Sequence, residues 1–129
     1  MSDPVNNPKH YNSHPGGMEC IELVEMLPFC EGNAIKYLWR AGLKGSTVED
    51  LRKALWYVDR AQSSQNALEL HYSDTLRRTI QRAIDGFPND RKGLAIRAVA
   101  LRTYNAARAH IRAMIEEAEP KDAKKEEAA

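Results

Sequence analysis

From residue 18 onward, apolar side chains recur at the three- and four-residue intervals that place them on one side of an α-helix. No stretch alternates apolar and polar residues as a half-buried strand would. Ile21, Leu23, Val24 and Leu27 predict a first helix over 18–27, stopped by Pro28. Ile35, Leu38, Trp39 and Gly42 predict a second over 31–43, with Gly42 and Gly45 bracketing the turn that ends it. A third starts at the Ser46-Thr47-Val48-Glu49 capping box and runs over 46–67, with Val48, Leu51, Leu55 and Val58 inward. Leu76, Ile80 and Ile84 place a fourth over 73–84, and Asp85-Gly86-Phe87-Pro88-Asn89 breaks the pattern. Leu94, Leu101, Tyr104, Ile111 and Ile115 then form one long stripe, which predicts a single fifth helix from residue 90 to residue 117.

The flanks read differently. Residues 1–17 hold Pro4, Pro8, Pro15, Gly16 and Gly17, the composition of an extended arm. Residues 118–129 are charged and poor in apolar side chains, which predicts a disordered tail. The fold class that follows is all-α: a small bundle of about five helices in one domain over 1–117. A fifth helix of that length outruns what four shorter helices can cover, so a homo-oligomer is expected to bury the excess.

Composition narrows the function classes. A formal net charge of +1 over 129 residues is not that of a general nucleic-acid binder, so no direct nucleic-acid binding is expected. No apolar run is long enough for a membrane span, and the polar N-terminus lacks the apolar core of a signal peptide. A cytoplasmic protein with reduced, buried Cys20 and Cys30 is the expectation.

Candidate chemistry clusters between residues 32 and 60. Asn33, Lys36, Arg40 and Lys44, with Tyr37 beside them, fall on a face of the second helix other than its apolar one. Such a row can hold phosphates, with lysines as point charges, arginine as a bidentate fork and the amide to orient; it can equally be a solvated face. On the third helix Trp56 lies off the apolar stripe, between Arg52 and Arg60 and near Lys53 and Asp59. A tryptophan so placed stacks on a base, packs at an interface or covers another helix. The turn before Thr47 leads into a helix N-terminus that attracts anions, although the capping box accounts for the same residues without a ligand. It is not a P-loop, since GxxxxGK[ST] is absent. In the arm, His10, Tyr11 and His14 can titrate or bind a metal, or dock the arm. Glu19, Glu22 and Glu25 repeat one helical turn apart, but the ExxD half of a two-magnesium pyrophosphatase site is missing, because Arg52 follows Glu49 at that spacing. No metal-ligand set is complete.

Val5-Asn6-x-Pro8-x-His10-Tyr11, Gly17-x-Glu19, Asn33-Ala34-Ile35-Lys36-Tyr37-Leu38-x-Arg40-Ala41-Gly42-x-Lys44 and Glu49-Asp50-Leu51-x-Lys53-Ala54-x-Trp56-Tyr57, in that order, resemble the DUF3310 family of bacteriophage and prophage proteins. The resemblance covers residues 4–60. That family includes a nucleotide kinase without a P-loop that acts on deoxynucleoside monophosphates, so the resemblance implies nucleotide binding and phosphoryl transfer. It places His10, Tyr11, Asn33, Lys36, Arg40, Lys44, Lys53 and Trp56 as candidates. The leading expectation is a nucleoside monophosphate kinase. In it Lys36, Arg40 and Lys44 neutralise phosphates, Asn33 and Tyr37 orient, Trp56 stacks the base, and His10 or Asp59 handles a proton, with Tyr11 and Lys53 as further binding candidates. Mg2+ enters with the nucleotide. The rivals are a non-enzymatic phage protein that sequesters a nucleotide or inhibits a host factor, and a structural adaptor.

Overall fold

The structure, a computed structural model, describes residues 14–43, 45–64, 69–87 and 91–128. Among them six helices and no strand are present: α1 (Cys20–Val24), α2 (Phe29–Arg40), α3 (Thr47–Ser64), α4 (Asp74–Asp85), α5 (Arg91–Ala100) and α6 (Tyr104–Ala128). The all-α expectation holds.

The α2–α3 hairpin is the centre. Ala34, Ile35, Leu38 and Trp39 of α2 and Leu51, Ala54 and Val58 of α3 are buried, as their helical spacing requires. α6 runs antiparallel along α3, and α5 folds back onto α6 while also covering α2. α4 packs on α5, and α1 bridges α2 and α4. Ile96, Val99, Ala107 and Ile111 close the core from that side.

Local chemistry sets most boundaries. Pro28 is the N-cap of α2, and α1 ends at Val24, short of the expected boundary at Leu27. α2 stops at Arg40, earlier than its stripe suggests. Gly42 does not lie on the apolar face: it is exposed at φ 87° in the turn, a conformation that favours glycine. The Lys92 ammonium donates to the Trp39 and Ala41 carbonyl oxygens at 3.1 and 2.9 Å, satisfying acceptors at the C-terminal end of α2. Ser73 caps α4 by accepting from the Leu76 N–H at 3.1 Å.

The end of the arm is docked. His14 is buried and stacks on Trp39 at 5.3 Å, with Phe87 edge-on at 4.8 Å. Its Nδ1 accepts from the Gly16 and Met18 N–H groups, so Nε2 carries the hydrogen and donates to the Ala83 carbonyl at 3.0 Å. A Cβ at Gly86 would overlap that ring, so the α4–α5 connection needs glycine there.

Three expectations are corrected. The fifth helix is two helices, because Arg102 takes a left-handed conformation (φ 58°) and the chain turns back on itself. Leu94 and Leu101, expected inward, are therefore exposed, and Ala95, Ile96, Ala98 and Val99 face the core instead. The single overlong helix that led to an expected oligomer does not exist. The expected disordered tail is helical through Ala128, with Pro120 inside the helix. Of the two thiols, Cys20 is buried but Cys30 is only half-buried.

Candidate functional site

At the edge of the core, where Tyr37 and Tyr57 are partly buried against it, three aromatic rings gather around Tyr57. Tyr37 stacks on it with centroids 5.9 Å apart and planes 14° apart. Trp56 meets it edge-on at 5.0 Å and Phe29 at 6.2 Å. Such offset-stacked and edge-on pairs are favourable ring geometries. The Lys53 ammonium lies 5.5 Å from the Tyr37 centroid. Phe29 and Trp56 are 75% and 59% exposed, so two of these rings present apolar area to solvent.

Trp56 also lines a groove of about 640 Å³ with Arg52 and Lys53 one turn away, and with Ser46 and Val48 at the start of α3. Glu119 and Asp122 of α6 form its opposite wall. Lys53 pairs with Glu49 at 3.1 Å, and that hydrogen bond is the main reason its ammonium titrates above the ordinary lysine value. The expected capping residue Ser46 accepts from the Glu49 N–H at 3.2 Å. Its hydroxyl and the Val48 N–H donate to the Asp122 carboxylate at 2.9 and 3.0 Å. A side chain from α6 thus completes the cap of α3.

Residues 5–59 match the model of the DUF3310 family. That family is described as a protein of unknown function. No curated protein and no solved structure matches the chain. The matched stretch holds α1, α2 and most of α3, hence every expected site residue; α4, α5 and α6 lie outside it. The matched segment supplies the aromatic face and one wall of the groove, and the remainder of the chain supplies the other wall.

The structure divides the candidate residues. Lys53 and Trp56 share the groove, and Tyr37 adjoins it through Lys53. Asn33 and Lys36 line a different, smaller depression of about 250 Å³ between α1 and α2, beside Phe29. Arg40 turns toward α3, its Nε 3.4 Å from the buried Asp50 carboxylate. Asp59 accepts from Arg108 of α6 at 2.7 Å. His10, Tyr11 and Lys44 lie outside the described residues. The described members of the expected row on α2 thus lie apart: Asn33 and Lys36 in the small depression, Tyr37 beside Lys53 and Arg40 in an ion pair.

Periodicity missed Phe29 and Tyr57, and it set Arg52 beside Trp56 without making it a site candidate. Arg52 precedes Trp56 by one helical turn, a signal available in the sequence; Phe29 and Tyr57 meet only once the hairpin closes. Among the described residues no three His, Cys, Asp or Glu side chains converge as metal ligands. Glu22 is used otherwise: it accepts from the Glu19 N–H at 2.7 Å and from Arg82 at 2.9 Å. No described helix is long and apolar enough to cross a membrane.

Proposed function

We propose that this chain binds nucleotides in the groove beneath Trp56. The observation that carries the reading is a largely exposed tryptophan flanked by Arg52 and Lys53 over a groove of ligand size. The indole offers a flat face to a base, and the two cations sit within reach of its phosphates. Phosphoryl transfer to a nucleoside monophosphate, which the DUF3310 resemblance implies, is the second part of the proposal. It needs charge neutralisation and alignment more than covalent chemistry. Among the described residues no acidic cluster is placed to hold Mg2+, so the proposal has the ion travel on the nucleotide phosphates.

Calorimetric titration with nucleoside mono- and triphosphates tests binding. Trp56→Ala is expected to weaken affinity by about five- to a hundredfold, from a stacking contribution of ~1–3 kcal/mol, with an unchanged melting temperature. No binding by any nucleotide rejects the reading. Chromatography of a deoxynucleoside monophosphate incubated with ATP and Mg2+ tests transfer; absence of the diphosphate leaves a binder and removes the kinase.

Phe29 favours a second reading. A phenylalanine 75% exposed and continuous with Tyr57 and Trp56 suits a protein partner, such as an inhibited host factor. Phe29→Ala would then abolish partner capture without changing nucleotide affinity.

A further inference from the structure

The groove beneath Trp56 is lined on one side by acids belonging to the chain itself. Glu119 and Asp122 are three residues apart on α6 and therefore share one side of it. Asp122 takes the Ser46 hydroxyl and the Val48 N–H, two donors at the positive end of α3. Glu119 takes the Arg52 guanidinium at 3.4 Å. Together the two carboxylates engage the donors that a phosphate monoester entering the groove would use. The hold is weak by construction. Arg52 and Glu119 are 66% and 54% exposed, where ion pairs contribute little. Pro120, between the two acids, removes one backbone hydrogen bond from the helix that carries them.

We propose that the end of α6 is an internal competitor for the anionic part of the ligand. Glu119 and Asp122 hold the Ser46 hydroxyl, the Val48 N–H and the Arg52 guanidinium until a phosphate monoester displaces them. This rests on the nucleotide-binding reading and adds its regulation. A ligand bound only after release has an affinity reduced by the fraction of molecules already open. An acid that merely caps α3 would instead stabilise the fold and leave affinity untouched.

The test uses the full chain, with inorganic phosphate and deoxythymidine monophosphate as probes in calorimetry. Asp122→Ala keeps the Ser46 cap of α3, so it should fold. Its affinity for both probes is expected to rise about three- to thirtyfold, the range set by loss of one cap interaction. Glu119→Gln should shift in the same direction by less. Hydrogen exchange of the amides over 119–124 should quicken when wild type is saturated with the monophosphate. Binding by wild type with equal or weaker binding by Asp122→Ala overturns the competitor and leaves the nucleotide reading standing, as does unchanged exchange at saturation. Failure of wild type and both variants to bind either probe overturns the competitor, and the nucleotide reading falls with it when no other nucleotide binds.

Discussion

Arg40 holds one end of a half-buried ion pair: its guanidinium is 30% exposed, and the Asp50 carboxylate it meets at 3.4 Å is 5% exposed. As a free phosphate fork on a polar helix face, Arg40 could be removed with no cost to the fold. Paired with Asp50, its loss leaves a buried charge short of one partner. Arg40→Ala is therefore expected to lower stability by about 1–3 kcal/mol in urea denaturation, the usual cost of an unmatched buried polar group. Adding Asp50→Asn should recover part of that loss, because the uncompensated charge is gone. A melt identical to wild type would return Arg40 to the list of ligand-facing residues. Trp56 is the opposite case at the same scale: exposed and outside the core, its replacement should change binding and not folding.

At the scale of elements, two contacts decide how helices are joined. Between α5 and α6, Arg102 holds a left-handed conformation that costs a non-glycine residue roughly 1 kcal/mol. Its Nε donates to the buried Glu31 carboxylate at 2.7 Å, and the Tyr104 hydroxyl reaches the same oxygen at 3.4 Å. Breaking this pair strands the Glu31 charge, so Arg102→Ala should cost about 3–5 kcal/mol, more than Arg40→Ala. Thermal melts of the two variants side by side rank them. Between α1 and α4, Glu22 accepts from the Glu19 N–H and from Arg82, in that order of effect, and both hold its carboxyl below the usual range. A depressed folded-state value means stability present above the ordinary carboxylate pKa of 4.5 and lost as pH falls through the folded-state value. Glu22→Gln should thus melt below wild type at neutral pH, and the gap should close on acidification. A gap that persists at pH 2–3 would assign the effect to packing.

For the whole molecule, burial governs the alkaline limit. The Cys20 thiol is pushed from 9.0 to about 12, first by burial, with Lys36 opposing. The Tyr104 phenol is pushed from 10.0 to about 12, first by burial and then by the Glu31 charge. Both folded-state values are raised, so the folded chain keeps protons that the unfolded chain releases. Their contribution is intact below pH 9 and declines as pH rises towards 12. The melting temperature should fall over that window, and Cys20→Ala should make the fall shallower. An identical slope in the variant would show that the thiol does not titrate with unfolding. The break at Arg102 lets α5 and α6 bury their inner faces against each other and against α2 and α3, while Leu94 and Leu101 of the expected stripe stay exposed.

The sequence by itself determined the helical class, the positions of α2, α3 and α4, and the inward sets Ile35, Leu38 and Trp39, and Val48, Leu51 and Val58. It also placed Trp56 off the core and Ser73 at a helix start. These follow from hydrophobic period and capping chemistry, which act within four residues and are written in local spacing. Tertiary structure decided the rest. The turn at Arg102 has no glycine or proline to announce it and depends on a glutamate 71 positions away. The acid that completes the α3 cap comes from 76 positions away, in a segment whose composition reads as unstructured. Whether Arg40 meets a phosphate or Asp50, and whether Asn33 and Lys36 share a groove with Trp56, depends on how α2 rotates against its neighbours. Helical period fixes which residues share a face, but only packing fixes what that face meets.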